Sequence, residues 1–296
     1  MKTTILFGGS GFLGDVLLRE NPDVISVGRT KPSSDIKNGH VQMDSIDDLS
    51  ILDDLEIDNV IFFIGNSNHH LLNNSCMDGI EYNVLPLKKA LNYFQHRKIN
   101  KFVCLTSILL YGNEPKGRPV NESDDVHPFT NEYIFSKFLA EQVVGYYLHK
   151  GMNIINIRIS NIYGATTLMR PDLVPMLMYD ALTKENPTVW NTLPERDFVF
   201  ASDAADAIIK LMKTDFTGVL NLGSGKMHSV GDVVKIVEEL SGKKIESLNK
   251  PVTGVMKFVT DISLINKLTG WTPTHTLKEG LEKTFTTMKN NLKQKN

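Results

Sequence analysis

A five-residue apolar run, Thr3–Phe7, leads directly into Gly8-Gly9-Ser10-Gly11-Phe12-Leu13-Gly14, and a helical pattern over Leu13–Arg19 starts before the last glycine is passed. A strand that turns sharply into a helix packed on its own sheet needs a residue without a side chain in three places. These are the turn, the point where backbone meets ligand, and the point where helix crosses strand. Both spacings present here, Gly8-x-x-Gly11-x-x-Gly14 and Gly9-x-Gly11-x-x-Gly14, describe a loop whose free N–H groups and helix dipole face an anion. The motif predicts a dinucleotide pyrophosphate held by Gly8, Gly11, Phe12, Leu13 and Gly14. A glycine-rich turn without a ligand is the competing reading, and the strand before it and the helix after it weigh against that.

The rest of the chain has room for the fold this junction implies. Strand-length, β-branched runs recur at Thr3–Phe7, Val24–Val27, His40–Met43, Val60–Ile64, Phe102–Leu105 and Ile154–Ile159, with helical patterns at Leu13–Arg19, Pro86–His96 and Tyr133–Leu148. Runs that are apolar on both sides belong to strands covered on both faces, so the chain reads as α/β, a Rossmann-like, doubly wound parallel sheet. After Tyr163-Gly164 helices dominate, at Leu173–Leu182, Ala204–Met212, Val230–Leu240, Ile262–Leu268 and Leu277–Met288, with strands at Phe198–Phe200 and Val219–Leu222. The polar tail from Lys289 to Asn296 is expected to fray. With 296 residues the chain is long enough for about two domains. The expected division is a dinucleotide-binding domain over 1–164 and a smaller, mostly helical substrate lobe over 165–296. One strand within 195–222, near Phe198, is expected to return to the first domain.

Composition removes other classes. Hydrophobic residues at 41% and a net charge of −2 exclude a disordered chain and give no general field for nucleic acid or an anionic membrane. Two cysteines, Cys76 and Cys104, cannot form a disulfide framework or a four-thiolate metal site and fit a reducing compartment. The adjacent His69-His70 pair lacks ligand spacing, reads as part of a polar loop near the site, and no metal is expected. No secretory signal and no apolar stretch of roughly 20 residues is visible, so a cytoplasmic protein without a membrane span is expected.

The end of the second strand selects the dinucleotide. An NAD site usually places a carboxylate about 20 residues beyond the first glycine to bind the ribose 2′-hydroxyl. Here Val27-Gly28-Arg29-Thr30-Lys31 offers two cations instead, which favours the 2′-phosphate of NADP(H) over NAD(H), although NAD(H) remains possible. Solvated loop charges are the alternative reading of Arg29 and Lys31. Asp44, followed by Ser45, suits either the adenine edge or a turn.

Tyr133-Ile134-Phe135-Ser136-Lys137 places a phenol and an ammonium four residues apart, on one face of a helix. A tyrosine near its ordinary pKa of about 10 is a poor base at neutrality, and a neighbouring ammonium lowers that value. Such a pair moves protons to and from a hydroxyl or carbonyl. The spacing alone is weak evidence, since an exposed helix pair also produces it. Its weight comes from Leu105-Thr106-Ser107, a strand ending in hydroxyls where parallel sheets bind ligands. Ser107 either hydrogen-bonds the same substrate oxygen or caps a loop.

These motifs together resemble the extended short-chain dehydrogenase/reductase family, in its nucleotide-sugar epimerase, dehydratase and reductase branch. The resemblance covers nearly the whole chain: Gly8–Gly14, Ser107 ahead of Tyr111-Gly112, Tyr133 with Lys137, Arg158-Ile159-Ser160-Asn161-Ile162-Tyr163-Gly164, Arg196-Asp197-Phe198-Val199-Phe200-Ala201-Ser202-Asp203, Leu222-Gly223-Ser224-Gly225 and Gly270-Trp271-Thr272-Pro273. It implies that Tyr133 exchanges a proton with the sugar oxygen, that Lys137 lowers its pKa and holds the nicotinamide ribose, and that Ser107 polarises the sugar carbonyl. Ile64, Gly65 and Asn66 would pass under the cofactor, with Asn83 and Ser160 beside it. Asn161 and Arg196 would contact the substrate. An internal salt bridge is the competing reading for Arg158 and Arg196. Helices near 86–96 and 133–149 pair in relatives, so a homodimer is expected.

Three departures narrow the activity. Ser107-Ile108-Leu109 stands where the family's dehydratases carry Thr-Asp-Glu, so the acid and base for eliminating water are missing. Thr188-Val189-Trp190-Asn191 lacks the usual glycine-rich turn before Arg196. An arginine that often grips the diphosphate is absent near Lys250 to Asp261, leaving Lys250 or Lys257 as a point charge in its place. The expectation is NADPH-dependent reduction of a nucleotide-activated 4-keto, deoxy sugar, with Tyr133 donating the proton. The alternatives are an NAD-dependent nucleotide-sugar 4-epimerase and a non-catalytic NADP-sensing regulator, and the retained Tyr–Lys pair argues against the regulator.

Overall fold

The apolar runs line up side by side because each can bury both faces only within a covered parallel sheet. The computed structural model describes residues 3–33, 35–72, 75–112, 118–165, 170–252 and 254–295. In it β1 (Thr3–Phe7), α1 (Phe12–Glu20), β2 (Ile25–Gly28), β3 (His40–Gln42) and β4 (Ile57–Phe62) are followed by the short helical turns α2 (His69–Leu72) and α3 (Cys76–Gly79). A π-helical turn, Ile80–Val84, then runs into α4 (Leu85–Phe94). Next come β5 (Lys101–Ser107), α5 (Glu132–His149), β6 (Ile154–Ile159) and β7 (Asn161–Tyr163). The remaining elements are α6 (Leu173–Thr183), β8 (Thr188–Val189), β9 (Glu195–Phe200), α7 (Ala201–Leu211), β10 (Gly218–Leu222), β11 (Met227–Ser229), α8 (Val230–Ser241), β12 (Glu246–Ser247), α9 (Ser263–Thr269) and α10 (Leu277–Lys295).

Seven strands form one parallel sheet in the order β3-β2-β1-β4-β5-β6-β10. This is the Rossmann-like, doubly wound arrangement read from the sequence. The order reverses between β1 and β4, and parallel sheets leave a ligand crevice at the carboxyl ends of the strands there. Alternating side chains feed two cores. Leu6, Ile61, Val103 and Ile155 pack on one face with α1, α7 and Trp271, while Ile5, Phe7, Val60, Phe62 and Phe102 pack on the other with α4 and α5.

Beyond Ser160 the chain leaves this sheet. The Ser160 N–H donates to Leu222 O (2.8 Å), and β7 then pairs with β9 in a three-stranded sheet, β11-β9-β7. The strand near Phe198 is therefore not the one that returns to the first sheet. That strand is β10, whose Leu220 and Leu222 are buried among the side chains of β6. β9 is instead a wall between two cores: Val199 faces the sheet core, and Phe198 and Phe200 face a third core built from α6, α8 and α10. Two further expectations are corrected. The segment after Met288 is helical and extends α10 to Lys295, and His69-His70 open a helical turn rather than lying in a loop. Among the described residues no helix is long and apolar enough to cross a membrane.

Candidate active site

The glycine loop is set by steric necessity. Gly8 has φ +87°, and a Cβ on Gly14 would lie 2.2 Å from the Gly8 carbonyl oxygen, so neither position admits a side chain without moving the backbone. α1 begins at Phe12 with no side-chain cap at Gly11, which leaves its first N–H groups facing a cavity of about 550 Å³. Gly8, Gly11, Phe12, Leu13 and Gly14 line this cavity, as do Ile64, Gly65 and Asn66 after β4, Ser107 at the end of β5, Tyr133 and Lys137 on α5, and Ser160 and Asn161 after β6. The fold thus brings these sequence-predicted residues to one crevice at the strand ends.

The rest stand elsewhere. Arg29, Lys31 and Asp44 are exposed, Ser45 is half-buried, and none lines the cavity. Asp44 accepts from Gln42 Nε2 (2.5 Å), which also donates to Arg29 O (3.0 Å). Ser45 Oγ accepts from the Asp47 N–H (3.1 Å). Asn83 lies behind the wall. Its Oδ1 accepts from the Asn66 N–H (2.8 Å) and from Lys137 Nζ (3.3 Å), and its Nδ2 donates to Ser136 Oγ (2.9 Å). A Cβ on Gly65 would meet Asn83 Oδ1 at 2.9 Å, so this glycine leaves room for the amide.

Around the phenol, packing and charge act in opposite directions. Asn131 caps α5 by accepting from the Ile134 N–H (2.9 Å), fixing the helix start at Glu132, one residue before Tyr133. Tyr133 is only 5% exposed, and burial pushes its pKa up to about 12 against the hydrogen bond with Ser107 and the positive charge of Arg170. Burial lowers Lys137 to about 8, and its Nζ lies 5.8 Å from the centre of the Tyr133 ring. Ser107 caps a loop, since its Oγ accepts from the Leu109 N–H (3.2 Å) at the start of a 3-10 turn, and it also bonds the Tyr133 phenol.

Ser160 Oγ (2.6 Å) and Asn161 Nδ2 (3.1 Å) both donate to Asp197 O, which holds the exit of β6 against β9. Arg158 does form the internal salt bridge considered for it, with Glu141. Arg196 does not. It donates to the backbone carbonyls of Glu195 (3.0 Å) and Met256 (2.9 Å), and burial pushes its pKa down to about 10. It lines a second cavity of about 220 Å³ with Asn161, Trp190, Pro194, Phe198 and Val252. Lys250 Nζ lies 4.5 Å over the Trp190 ring beside that cavity, while Lys257 pairs with Glu195 (2.8 Å).

Two neighbours escaped the sequence reading. Arg170 lines the large cavity, pairs with Asp172 (2.7 Å), donates to Ser67 Oγ (3.2 Å) and lies 5.0 Å over the Phe12 ring. No spacing marks it, because the contacts join three distant segments. Glu141 did carry a signal: it is a carboxylate four residues, about one helical turn, beyond Lys137.

The profile of the NAD-dependent epimerase/dehydratase family matches residues 4–223. The chain belongs to that family. Among its relatives is a UDP-glucose 4-epimerase of Halalkalibacterium halodurans, 28% identical over 81% of this chain and 81% of that protein. Two solved structures share the fold. An epimerase of Methanothermobacter thermautotrophicus superposes with a TM-score of 0.90 at 22% identity, over 99% of this chain and 94% of that one. MoeE5 in complex with UDP-glucuronic acid and NAD superposes with a TM-score of 0.86 at 22% identity, over 97% and 99%.

Proposed function

We propose that this family member is an NAD-dependent UDP-sugar 4-epimerase, with the seven-stranded sheet and the helices packed on it, α7 and α9 included, forming the cofactor half, and β7, β9 and β11 with α6, α8 and α10 forming the sugar-nucleotide lobe. The observation that carries the reading is the buried Ser107–Tyr133 hydrogen bond beside Lys137, with Ile108 and Leu109 where a dehydratase would need carboxylates. Relatives named as 4-epimerases and a fold neighbour holding a UDP-sugar and NAD support it. The glycine cradle and the uncapped start of α1 fit a dinucleotide pyrophosphate, and Asn66, Lys137 and Ser160 stand where its nicotinamide half would be held. When bound, NAD would supply a reversible hydride acceptor at the sugar carbon.

The chain's own groups handle the proton. Tyr133 takes it from the 4-hydroxyl as phenolate and gives it back as phenol, in both cases at Oη. Lys137, lowered to about 8, is still mostly charged at pH 7 and stabilises the phenolate. Ser107 donates to the 4-oxygen and polarises the carbonyl that forms there. Inversion requires the 4-keto sugar to present its other face before reduction, which calls for a cavity with spare room. Arg196 and Asn161, which share the small cavity, hold the nucleotide end. Apolar side chains left exposed on α4 and α5, Leu85 and Tyr146, support pairing as a homodimer.

A second reading, reduction of a 4-keto sugar nucleotide by NADPH, rests on Arg29 and Lys31 at the end of β2. One experiment separates the two. The purified protein is incubated with UDP-glucose, UDP-N-acetylglucosamine or UDP-glucuronic acid and catalytic NAD, and products are identified by NMR. Formation of the C4 epimer without net consumption of NADPH is expected. NADPH-dependent loss of a 4-keto substrate, with no epimer from any UDP-sugar, would overturn the proposal.

A further inference from the structure

Glu141 follows Tyr133 and Lys137 at the next four-residue step along α5, but it points away from the cavity into the sheet. Its carboxylate is buried and saturated. Oε1 accepts from Arg158 Nη2, and Oε2 accepts from Arg158 Nε (3.1 Å), Asn156 Nδ2 (2.8 Å) and Thr106 Oγ1 (3.3 Å). Arg158 Nη1 continues to the Tyr111 hydroxyl (2.8 Å), which donates to Asn221 Oδ1 (2.9 Å) on β10. Each anchor lies next to a group of the site. Thr106 precedes Ser107, Arg158 lies two residues before Ser160, and Glu141 is on the helix that carries the phenol and the ammonium.

We propose that Glu141 and Arg158 are a pair of positioning residues that clamp α5 onto the ends of β5 and β6 and so set Tyr133 and Lys137 against Ser107, while cancelling each other's charge one helical turn from Lys137. The inference rests on the Tyr133–Lys137–Ser107 reading above. A purely stabilising pair would not need to be ionic, because buried ion pairs are often replaced by apolar side chains at little cost in stability. This pair lies one helical turn beyond Lys137 in the buried interior, where an uncompensated charge is weakly screened. The other charged or titratable groups facing the pair and the phenol are Tyr111 after β5, Glu122 near β10, and Arg170 and Asp172 from the substrate lobe.

The two halves of the clamp therefore fail with opposite electrical signs. Glu141→Gln leaves Arg158 uncompensated and adds positive charge near Lys137, which lowers the Tyr133 midpoint. Arg158→Met leaves Glu141 uncompensated and raises it. Both loosen the geometry, and a misplacement of about 1 Å costs about 100-fold in rate.

The test uses the NAD-loaded full chain. UDP-sugar kcat and KM are measured for wild type, Glu141→Gln, Arg158→Met and the apolar double variant Glu141→Leu/Arg158→Met. In parallel, the 13Cζ resonance of Tyr133, assigned with Tyr133→Phe, is followed with pH. The expected result is a fall in kcat of about 100-fold in all three variants with KM within threefold. The Tyr133 midpoint should move down in the first variant, up in the second and back to the wild-type value in the folded double variant. Equal midpoints in all four proteins, or a double variant with kcat within threefold of wild type, overturns the proposal. If the wild type turns over no UDP-sugar, the epimerase reading fails by itself, and the opposed shifts of the Tyr133 resonance still decide the clamp.

Discussion

The two cavities are built from different material. The large one is floored by the carboxyl ends of β1, β4, β5 and β6 and by the start of α1, and its polar groups are held by buried partners: Asn83 for Lys137, Ser107 for Tyr133, Asp197 for Ser160. The small one joins connecting segments at Val189–Asn191, Pro194 and Val252 to Arg196 and Phe198 of β9, Asn161 of β7 and the starts of α6 and α8 at Leu173 and Val230, and its Trp190 is 52% exposed. A site on strand ends is fixed by the sheet, whereas one on connecting segments is free to vary without disturbing the core. We read the first as the shared chemistry of the family and the second as the place where a particular sugar nucleotide is chosen.

Tyr133→Phe makes the sharpest cut between them. The substitution keeps the ring in its buried slot and removes only the hydroxyl that Ser107 bonds. Turnover should fall about 1,000-fold, within the range for a lost general acid–base group. Binding of NAD and of UDP, followed by fluorescence or calorimetry, should stay within a few-fold. Turnover within tenfold of wild type would place the proton transfer elsewhere and dissolve the distinction.

The same division explains what could be read from the sequence. The glycines at 8, 11 and 14, the apolar strands and the Tyr133/Lys137 spacing are local patterns with a mechanical cause, so they led directly to the sheet and the crevice. The returning strand was misplaced because Phe198–Phe200 and Gly218–Leu222 are both short apolar runs. Only the pairing of β7 with β9 beyond Ser160 decides which of them joins β6. Arg170 was missed because its partners, Ser67 and Phe12, come from segments about 100 and 160 residues away, and no periodicity spans that distance. Arg196 is placed by resemblance, and the one sequence signal for the second cavity it lines is the departure from the family pattern at Thr188–Asn191.

Arg196→Met probes the small cavity. The guanidinium is desolvated enough for its pKa to fall to about 10, and among the described residues it meets backbone carbonyls and the Phe258 ring (5.8 Å) but no carboxylate, which leaves its charge available to an anion. If the diphosphate binds there, losing the charge removes a charge-assisted contact, and KM should rise about 50-fold with kcat within threefold. Dinucleotide affinity should be unchanged. A change in kcat with constant KM would instead connect Arg196 to the chemistry and merge the two cavities functionally.

Both cavities hold a cation that burial disfavours, and stability distinguishes the two by pH. Lys137 is lowered from its ordinary value of 10.5 to about 8, so between those values the folded chain holds fewer protons at this site than the unfolded chain. Stability contributed by this site therefore climbs as pH rises from about 8 to 10.5, and the penalty is present in full below pH 8. Arg196 behaves in the same sense, but its interval lies between about 10 and 12.5, outside the range in which the protein would be assayed. Lys137→Met should accordingly be more stable than wild type in urea at pH 7, and its advantage should shrink by about 1–2 kcal/mol by pH 9.5. Arg196→Met should show no such drift relative to wild type. If the Lys137→Met advantage is the same at both pH values, the ammonium is not desolvated in the folded protein, and a solvated Lys137 would no longer set the large cavity apart from the small one.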